Sequence, residues 1–294
     1  MGISSRAVSV GCDHLKELLF AGVIAVTFIG ATALAADTAK VESPLPSAAV
    51  SDWSGFYVGA ELSAKLADTT WTTTSVVDAG EPIVPDASSP RKYDPVGVRG
   101  GMYFGYNHQL AKPWVSGIEV DWADANKTTT KAGIPGCSIL CLGDPGPVAD
   151  TSSVRMGWDS SARARLGYLL TPRLLTYGTG GIAWQKIKST ATCQFSGPDP
   201  LCNGVPEAPF ATASSSAARI GWTIGVGAES RFAKNWILRG EYRYAGFGTG
   251  NVQSNLTDGT GDGFVTNLSY QDKVNTQSAT LGIAYRFTRR AHHR

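Results

Sequence analysis

The stretch that decides the fold runs from Arg219 to Tyr244 and reads RIGWTIGVGAESRFAKNWILRGEYRY. Its charged residues stand at odd numbers, with Lys234 the exception, and most of its bulky apolar and aromatic residues stand at even numbers. Only an extended strand sends successive side chains to opposite faces, so the pattern predicts two strands joined by a turn at Lys234. An aromatic face opposite a face of alternating arginine and glutamate is typical of a closed β-barrel in lipid.

The N-terminal residues predict export. A basic segment precedes an apolar run at residues 18–34, which closes on the small-residue sequence Ala33-Leu34-Ala35. This arrangement is typical of a secretory signal peptide, and we expect cleavage after Ala35. The alternative is a retained membrane anchor, but the apolar run is short for a spanning helix.

These features divide the chain into four parts. We predict a signal peptide at residues 1–35, a periplasmic N-terminal leader at 36–52, a β-barrel at 53–287 and a basic C-terminal tail at 288–294. A closed barrel satisfies its backbone hydrogen bonds within the sheet and is therefore stable inside a bilayer. Export combined with such a barrel predicts that the protein lies in the cell outer membrane.

The composition favours strands and argues against a polyanionic partner. The 294 residues include 34 Gly, 8 Trp, 10 Tyr and 10 Phe against only 3 Met, a mixture that is poor for helices and good for strands. The formal net charge of +2 differs from the strongly basic balance of nucleic-acid-binding domains. We therefore expect no nucleic-acid partner.

Alternation of apolar and polar residues predicts eight strands. The fifth is ambiguous, because Gly178, Gly180 and Gly181 blur the distinction between its two faces. The predicted strands are Ser54–Leu66, Val96–Asn107, Trp114–Asp124, Trp158–Leu169, Leu174–Ile187, the two strands of the hairpin described above, and Asn275–Phe287.

The connections between these strands alternate strictly between short and long. The long ones cover roughly residues 67–95, 125–157, 188–217 and 245–274. Outer-membrane barrels have tight periplasmic turns and longer extracellular loops. The predicted fold is therefore an all-β, eight-stranded antiparallel up-and-down transmembrane barrel with short periplasmic turns and four long extracellular loops.

The charged faces of the predicted strands point into the barrel. An eight-stranded barrel is just wide enough for side chains to fill it, and buried charges must be paired. We therefore predict a network of salt bridges that plugs the lumen. Arginines outnumber acids in the set, which leaves open a narrow, anion-leaning pore. The set comprises Glu61, Lys65, Arg99, Glu119, Asp121, Arg163, Arg165, Arg219, Glu229, Arg231, Arg239, Glu241, Arg243 and Arg286.

Four cysteines lie in the predicted extracellular loops, namely Cys137, Cys141, Cys193 and Cys202. An oxidising compartment favours disulfides, and pairing within each loop is the simplest of the three possible connectivities. A zinc site is the alternative, but four-thiolate sites usually need two closely spaced pairs, and Cys193 and Cys202 are far apart. We predict disulfides and no metal.

The sequence does not predict an enzyme. A small barrel hydrolase acting at the outer rim needs a histidine base there, because a serine without a base is a weak nucleophile. His14 falls in the predicted signal peptide, His108 in a predicted periplasmic turn, and His292 and His293 in the tail. We therefore expect no catalytic residues and no cofactor.

Five motifs resemble, in the same order along the chain, those of the small outer-membrane immunogenic proteins of alphaproteobacteria, a porin-like family. Together they extend over most of the predicted barrel. They are WSGFYVG at Trp53–Gly59, ARLGY at Ala164–Tyr168, YGTGGIAW at Tyr177–Trp184, GWTIG at Gly221–Gly225 and LRGEYRY at Leu238–Tyr244.

The resemblance implies an eight-stranded outer-membrane barrel with a structural role in envelope integrity and an immunogenic surface. The partners it implies are outer-membrane lipid and lipopolysaccharide, and the barrel assembly machinery, which would read Tyr285 and Phe287. A host or phage surface ligand is a further possibility for the loops. The family ends at this aromatic signal, whereas here residues 288–294 follow it.

Haemin binding is also carried over from the family as an alternative function of the extracellular loops. No histidine of this chain falls in those loops. Tyr93 or Tyr270 would therefore have to serve as the axial ligand of the haem iron.

Overall fold

The computed structural model describes residues 52–78, 80–137, 150–194, 210–257 and 265–287. All of them belong to one unit, Asp52–Arg294. The described residues contain no helix that is long and apolar enough to cross a bilayer. They form one sheet of eleven strands. The strands are β1 (Gly55–Asp78), β2 (Glu81–Ile83), β3 (Arg91–Tyr93), β4 (Val96–Ala111), β5 (Trp114–Asp124), β6 (Lys127–Ala132), β7 (Thr151–Thr171), β8 (Leu174–Gln194), β9 (Phe210–Arg231), β10 (Trp236–Thr257) and β11 (Val265–Arg286).

Eight of these strands follow one another around the sheet in the order β1, β4, β5, β7, β8, β9, β10, β11. Each pairs antiparallel with the next, and β11 pairs with β1 from Tyr57 opposite Arg286 to Asp78 opposite Thr266, so the sheet closes on itself. The short strands β2 and β3 pair with β1, and β6 pairs with β7. The predicted up-and-down, all-antiparallel topology is confirmed.

Short turns join the strands at one end, as predicted. Residues 112–113 connect β4 to β5, residues 172–173 connect β7 to β8, and residues 232–235 connect β9 to β10. Tight turns of this kind stand at the periplasmic rim of outer-membrane barrels.

A belt of exposed apolar side chains surrounds the half of the cylinder next to these turns. Such a band, flanked by aromatic residues, is the surface that an outer-membrane barrel presents to lipid. Aromatic pairs at the periplasmic edge are Trp114–Tyr168 and Trp236–Tyr285. Belt residues that are 42% or more exposed include Phe56, Val58, Leu62, Val98, Met102, Phe104, Ile118, Leu166, Ile182, Ile224, Val226, Leu238, Leu281 and Ile283.

The strands continue far into the segments predicted as extracellular loops, and here the sequence-based boundaries are wrong. Strand β1 ends at Asp78 rather than Leu66, and β10 continues to Thr257. In these extensions the polarity of the two faces is reversed, since Trp71 and Leu268 are buried inside while Lys273 is exposed outside. Apolar-inside, polar-outside strands are those of a sheet in water. Searching for a lipid-facing pattern therefore misses them.

We call the described residues of 67–95, 125–157, 188–219 and 246–274 the outer cap. Its interior is an apolar cluster in which Trp71 stacks on Tyr270, with ring centroids 4.0 Å apart. Burial of such aromatic and aliphatic side chains is the main stabilising contribution in a water-exposed sheet. The cap is thus folded as a soluble β-structure built on a membrane cylinder.

The cap contains a seam between β9 and β10. These two strands pair only from Arg231 opposite Ile237 to Trp222 opposite Gly246. Beyond that point, within the part of the chain that the structure describes, β9 pairs with β8 alone and β10 with β11 alone. A bulge after Gly246 and the left-handed conformation of Gly248, with φ of 67°, turn β10 away from β9.

One ion pair crosses the seam. The guanidinium of Arg219 on β9 binds the carboxylate of Asp272 on β11. It lies against the backbone of Gly250, where any side chain would overlap the guanidinium. Burial raises the pKa of Asp272 above its usual value, although the charge of Arg219 acts in the opposite direction. As pH falls, Asp272 therefore becomes protonated at a higher pH than an ordinary aspartate does. Its ion pair with Arg219 is lost at that same pH.

Replacing Asp272 with Asn should loosen the seam without unfolding the barrel. Because the raised pKa means that the buried charge is a net cost to the folded state, we expect little change in the thermal unfolding midpoint. Amide hydrogen exchange in the upper half of β9 should become several times faster. Lys273→Gln, on the adjacent outward-facing position, is the control. Equal exchange rates in all three proteins would show that the ion pair does not hold the seam.

Candidate functional site

Among the described residues, twelve charged side chains project into the cylinder within the lipid-facing belt, and none of them is more than 6% exposed. Six are carboxylates and six are cations, so their formal charges cancel. They are Glu61, Lys65, Arg99, Glu119, Asp121, Asp159, Arg163, Arg165, Glu229, Arg239, Glu241 and Arg243. We call this set the charge network.

Glu119 on β5 is the centre of the charge network. Its Oε1 accepts hydrogen bonds from Arg163 Nη2 at 2.5 Å and from Arg239 Nη1 at 3.1 Å. Its Oε2 binds Arg239 Nη2 and accepts a hydrogen bond of 2.7 Å from the hydroxyl of Tyr57. Arg165 Nη1 lies 3.5 Å from the same oxygen. One carboxylate thus contacts three guanidinium groups.

Glu229 and Glu241 complete the part of the network nearer the periplasm. Glu241 lies 2.6 Å from Arg163 Nη1 and accepts a hydrogen bond of 2.9 Å from the hydroxyl of Tyr177. Glu229 lies 3.0 Å from both Arg165 and Arg239. Each of these three arginines therefore contacts at least two carboxylates, as buried cations require.

A second group lies nearer the outer cap. Asp159 binds Lys65 at 2.6 Å and also binds Arg99, which in turn lies 2.5 Å from Glu61. Further around the wall, Arg243 Nη1 lies 2.9 Å from Asp121. Charge-assisted contacts of this kind are stronger than neutral hydrogen bonds.

Tyrosine rings fill the space between the ion pairs. The Arg239 guanidinium lies 4.1 Å from the ring of Tyr103, and the Arg165 guanidinium lies 4.1 Å from the ring of Tyr177. These cation–π contacts are stronger in a desolvated interior than at a surface. The ring of Tyr103 reaches over Gly59, where an added Cβ would overlap it. A glycine is therefore required at that position.

The periplasmic end of the lumen has different chemistry. Trp53 is fully buried among apolar residues that include Leu175 and Ile237. Arg231 lies 4.1 Å from the Trp53 ring, and both Arg231 and Arg286 donate hydrogen bonds to the backbone carbonyl of Asp52. These two arginines hold the chain that enters β1 rather than joining the charge network.

The sequence-based set therefore differs from the observed network in several members. Arg231 and Arg286 lie at the periplasmic end, and Arg219 lies in the seam. Asp159 was absent from the predicted set, although its odd number places it on the charged face of its strand. The tyrosines 57, 103 and 177 were also missed. Their odd residue numbers could have revealed them, because these numbers place the three tyrosines on the strand faces that carry the charges.

Comparison with known proteins bears on the whole chain. A family profile described as an outer membrane protein beta-barrel domain matches residues 21–287. The chain belongs to this family. It is 30% identical over 277 residues to the 31 kDa outer-membrane immunogenic protein of Brucella melitensis, covering 93% of this chain and 100% of that protein. It is 28% identical over 281 residues to the 25 kDa outer-membrane immunogenic protein of Brucella abortus, covering 93% and 99% respectively.

Among solved structures, the outer membrane protein OprG of Pseudomonas aeruginosa is similar, at 12% identity and a TM-score of 0.47, over 80% of this chain and 97% of that one. Family membership and the two Brucella relatives agree with the closed antiparallel sheet and its apolar belt. The protein is an outer-membrane β-barrel of the cell surface, and the predicted family and location are confirmed.

Of the four cysteines predicted to form disulfides, Cys137 is the one whose side chain lies within the described residues. Cys137 is buried, and its thiol forms no disulfide within the described residues. The side chains of Cys141, Cys193 and Cys202 lie outside the described residues. The disulfide pairs therefore stay a prediction.

The two tyrosines considered as haem ligands are both inside the cap. Tyr93 is fully buried, and its hydroxyl is 2.5 Å from that of Ser152. Tyr270 is 2% exposed and stacks on Trp71. Burial is the main cause that raises the pKa of each phenol above its usual value. Neither presents a phenolate to a surface ligand.

Among the histidines, His108 alone falls within the described ranges, on β4 near the periplasmic turn. The aromatic residues predicted as an assembly signal lie at the end of β11. Tyr285 packs edge-on against Phe287, with ring centroids 5.3 Å apart, and Phe287 is 54% exposed on the lipid-facing belt.

Replacement of Glu119 with Gln should destabilise the folded barrel by about 3–5 kcal/mol, because it leaves arginines buried without their shared carboxylate. Denaturant unfolding of the protein refolded in detergent, followed by the heat-dependent change in electrophoretic mobility, would measure this loss. Asp124→Asn, on the exposed end of the same strand, should leave the midpoint unchanged. Identical midpoints for the two variants would mean that Glu119 is not the centre of the network.

Proposed function

We propose that this protein is a non-enzymatic structural component of the outer membrane, with a lumen plugged by paired charges and a cap that forms the surface seen from outside the cell. The observation that carries the proposal is the set of ion pairs that cross the lumen. In the ring of eight strands, β5 and β10 stand on opposite walls. Glu119 and Asp121 on β5 bind Arg239 and Arg243 on β10.

Two further observations support a closed lumen. The charge network has no excess of either sign, so it offers no field that would favour permeation by one class of ion. Trp53 and its apolar neighbours occupy the periplasmic end. The lumen of an eight-stranded barrel is just wide enough for side chains to fill it, so such side chains leave no continuous passage. The alternative function, a narrow porin-like channel for small solutes, is therefore the less supported one.

The purified protein should show no unit conductance in planar lipid bilayers. A double replacement, Glu119→Ala with Arg239→Ala, removes one charge of each sign from opposite walls, and with Trp53→Ala it should produce discrete conductance steps. Asp124→Asn, made in parallel, should behave like the unchanged protein. Regular steps from the unchanged protein would instead establish the channel function.

The surface role rests on the cap. Its outward side chains are polar, for example Asn251, Gln253 and Gln271, and hydrated side chains of this kind suit a face in contact with water and other molecules. Relatives named as outer-membrane immunogenic proteins support an exposed, antigenic cap. A host or phage ligand would bind here. Haemin is less well supported, because Tyr93 and Tyr270 are buried within the cap.

Insertion should depend on the barrel assembly machinery acting on the end of β11, with lipid and lipopolysaccharide as the surrounding partners. Tyr285 and Phe287 support this role because they stand together on the lipid-facing surface at the end of the last strand. The amide of Phe287 also donates a hydrogen bond of 2.8 Å to the carbonyl of Phe56, which joins the signal to β1.

Deletion of the gene should make cells more sensitive to detergent and to large antibiotics, because a closed barrel contributes to the packing of the outer membrane. A copy encoding the unchanged protein should restore resistance. A copy encoding the opened Glu119, Arg239 and Trp53 triple variant should restore it only in part. Unchanged sensitivity after deletion, with normal levels of other outer-membrane proteins, would contradict the envelope role.

A further inference from the structure

A small cavity lies where the charge network meets the apolar interior of the cap. Its charged lining consists of Lys65, Arg99, Arg243 and Asp159. Hydroxyl groups of Thr276 and Ser278 line another part of it.

Apolar residues complete the lining on the side of the cap. Among them are Ala245 and Phe247 of β10. Ala245 pairs with Thr223 on β9, one position below the last pair before the seam begins. The cavity therefore lies directly beneath the seam, next to the end of the β9–β10 pairing.

Three cations and one carboxylate line the cavity, while the carboxylates of Glu61 and Asp121, which pair with Arg99 and Arg243, lie outside the lining. The lining carboxylate, Asp159, already binds both Lys65 and Arg99. In a desolvated interior such an imbalance acts much more strongly than it would in water. The lining thus disfavours a cation and favours an anion.

Arg243 supplies the second observation. Its side chain is 6% exposed, and its Nη1 is held by Asp121. Its Nε and Nη2 are buried and have no hydrogen-bond acceptor within the described part of the protein. The nearest carboxylate oxygens are those of Glu241, 3.5 Å from Nε, and Glu61, 3.8 Å from Nη2. Buried guanidinium donors left in this state are unfavourable unless an acceptor reaches them.

We propose that this cavity binds one small monovalent anion of the size of chloride. The space admits roughly one water-sized particle, which excludes larger organic anions. Arg243, Lys65 and Arg99 would supply the positive charge, and the hydroxyls of Thr276 and Ser278 would donate hydrogen bonds to the ion. The ion is held at the outer end of the charge network and does not pass through it, so this site is independent of the conductance of the lumen.

Anion binding should raise the thermal unfolding midpoint of the full chain refolded in detergent. In this titration chloride replaces gluconate stepwise at constant ionic strength, so that screening of surface charges stays the same. Gluconate serves as the reference because it is too large for the cavity. The midpoint should begin to rise near the dissociation constant for chloride and then increase with the logarithm of the chloride concentration, as expected for a ligand that binds only the folded state. Thermal unfolding curves that coincide in chloride and in gluconate would overturn the proposal.

Thr276→Val provides the site variant because it removes one hydroxyl without changing volume or charge. Loss of one hydrogen bond should raise the dissociation constant for chloride, and so the chloride concentration at which the midpoint begins to rise, by about fivefold. Thr280→Val is the matched control, since Thr280 is equally buried on the same strand but bonds Ser63 and does not line the cavity. Its chloride dependence should match that of the unchanged protein. Equal chloride dependence in both variants would count against the site.

A direct measurement does not depend on any variant. Crystals of the unchanged protein grown in bromide should show an anomalous scattering peak in the cavity, within contact distance of the Arg243 guanidinium. A data set without such a peak at full bromide exchange would overturn the proposal, whatever the unfolding curves show.

Discussion

The rest of the structure depends on the pairing of charges across a lumen that is only as wide as the side chains within it. In that desolvated space a lone charge is prohibitively unfavourable, so each cation must find a carboxylate on another wall. Glu119 meets this requirement for three arginines at once and joins β5 to β10 on the opposite side. Closure of the sheet brings the charged partners on different strands within reach of one another. The inward tyrosines pack against the arginines, and the glycine beneath Tyr103 leaves room for its ring.

The same strands fold in two solvents, and this explains the rest of the architecture. Around the belt, apolar residues such as Ile118 face lipid and charges face inward. In the cap, Trp71 and Leu268 face inward and polar residues face water. The switch occurs near the outer aromatic pair Trp222–Tyr244, whose ring centroids are 5.4 Å apart. Tryptophan and tyrosine suit a boundary because their rings are apolar and carry one polar group.

Side-chain parity was enough to predict the number of long strands, their order and which charged residues face inward, as Arg239 and Glu241 illustrate. It was not enough to predict partners, because an ion pair such as Arg163 with Glu241 joins strands that are remote in sequence. Parity also could not distinguish an arginine of the charge network from Arg231, which binds the backbone at the periplasmic end of the lumen, so it did not reveal that the network itself has equal numbers of cations and carboxylates. The cap strands were missed because their pattern is reversed and reads as a polar loop.

The interruption of pairing between β9 and β10 gives the two halves of the molecule different mechanical properties. A cylinder resists bending where every strand is bonded on both sides, and that condition ends above Trp222. The distal portion is therefore the more compliant one, and a distortion imposed on it relaxes at the gap instead of being transmitted down the wall. Amino-acid changes on the outer surface are thereby insulated from the membrane-embedded half, so the exterior can vary in sequence while the part that inserts into lipid keeps its geometry.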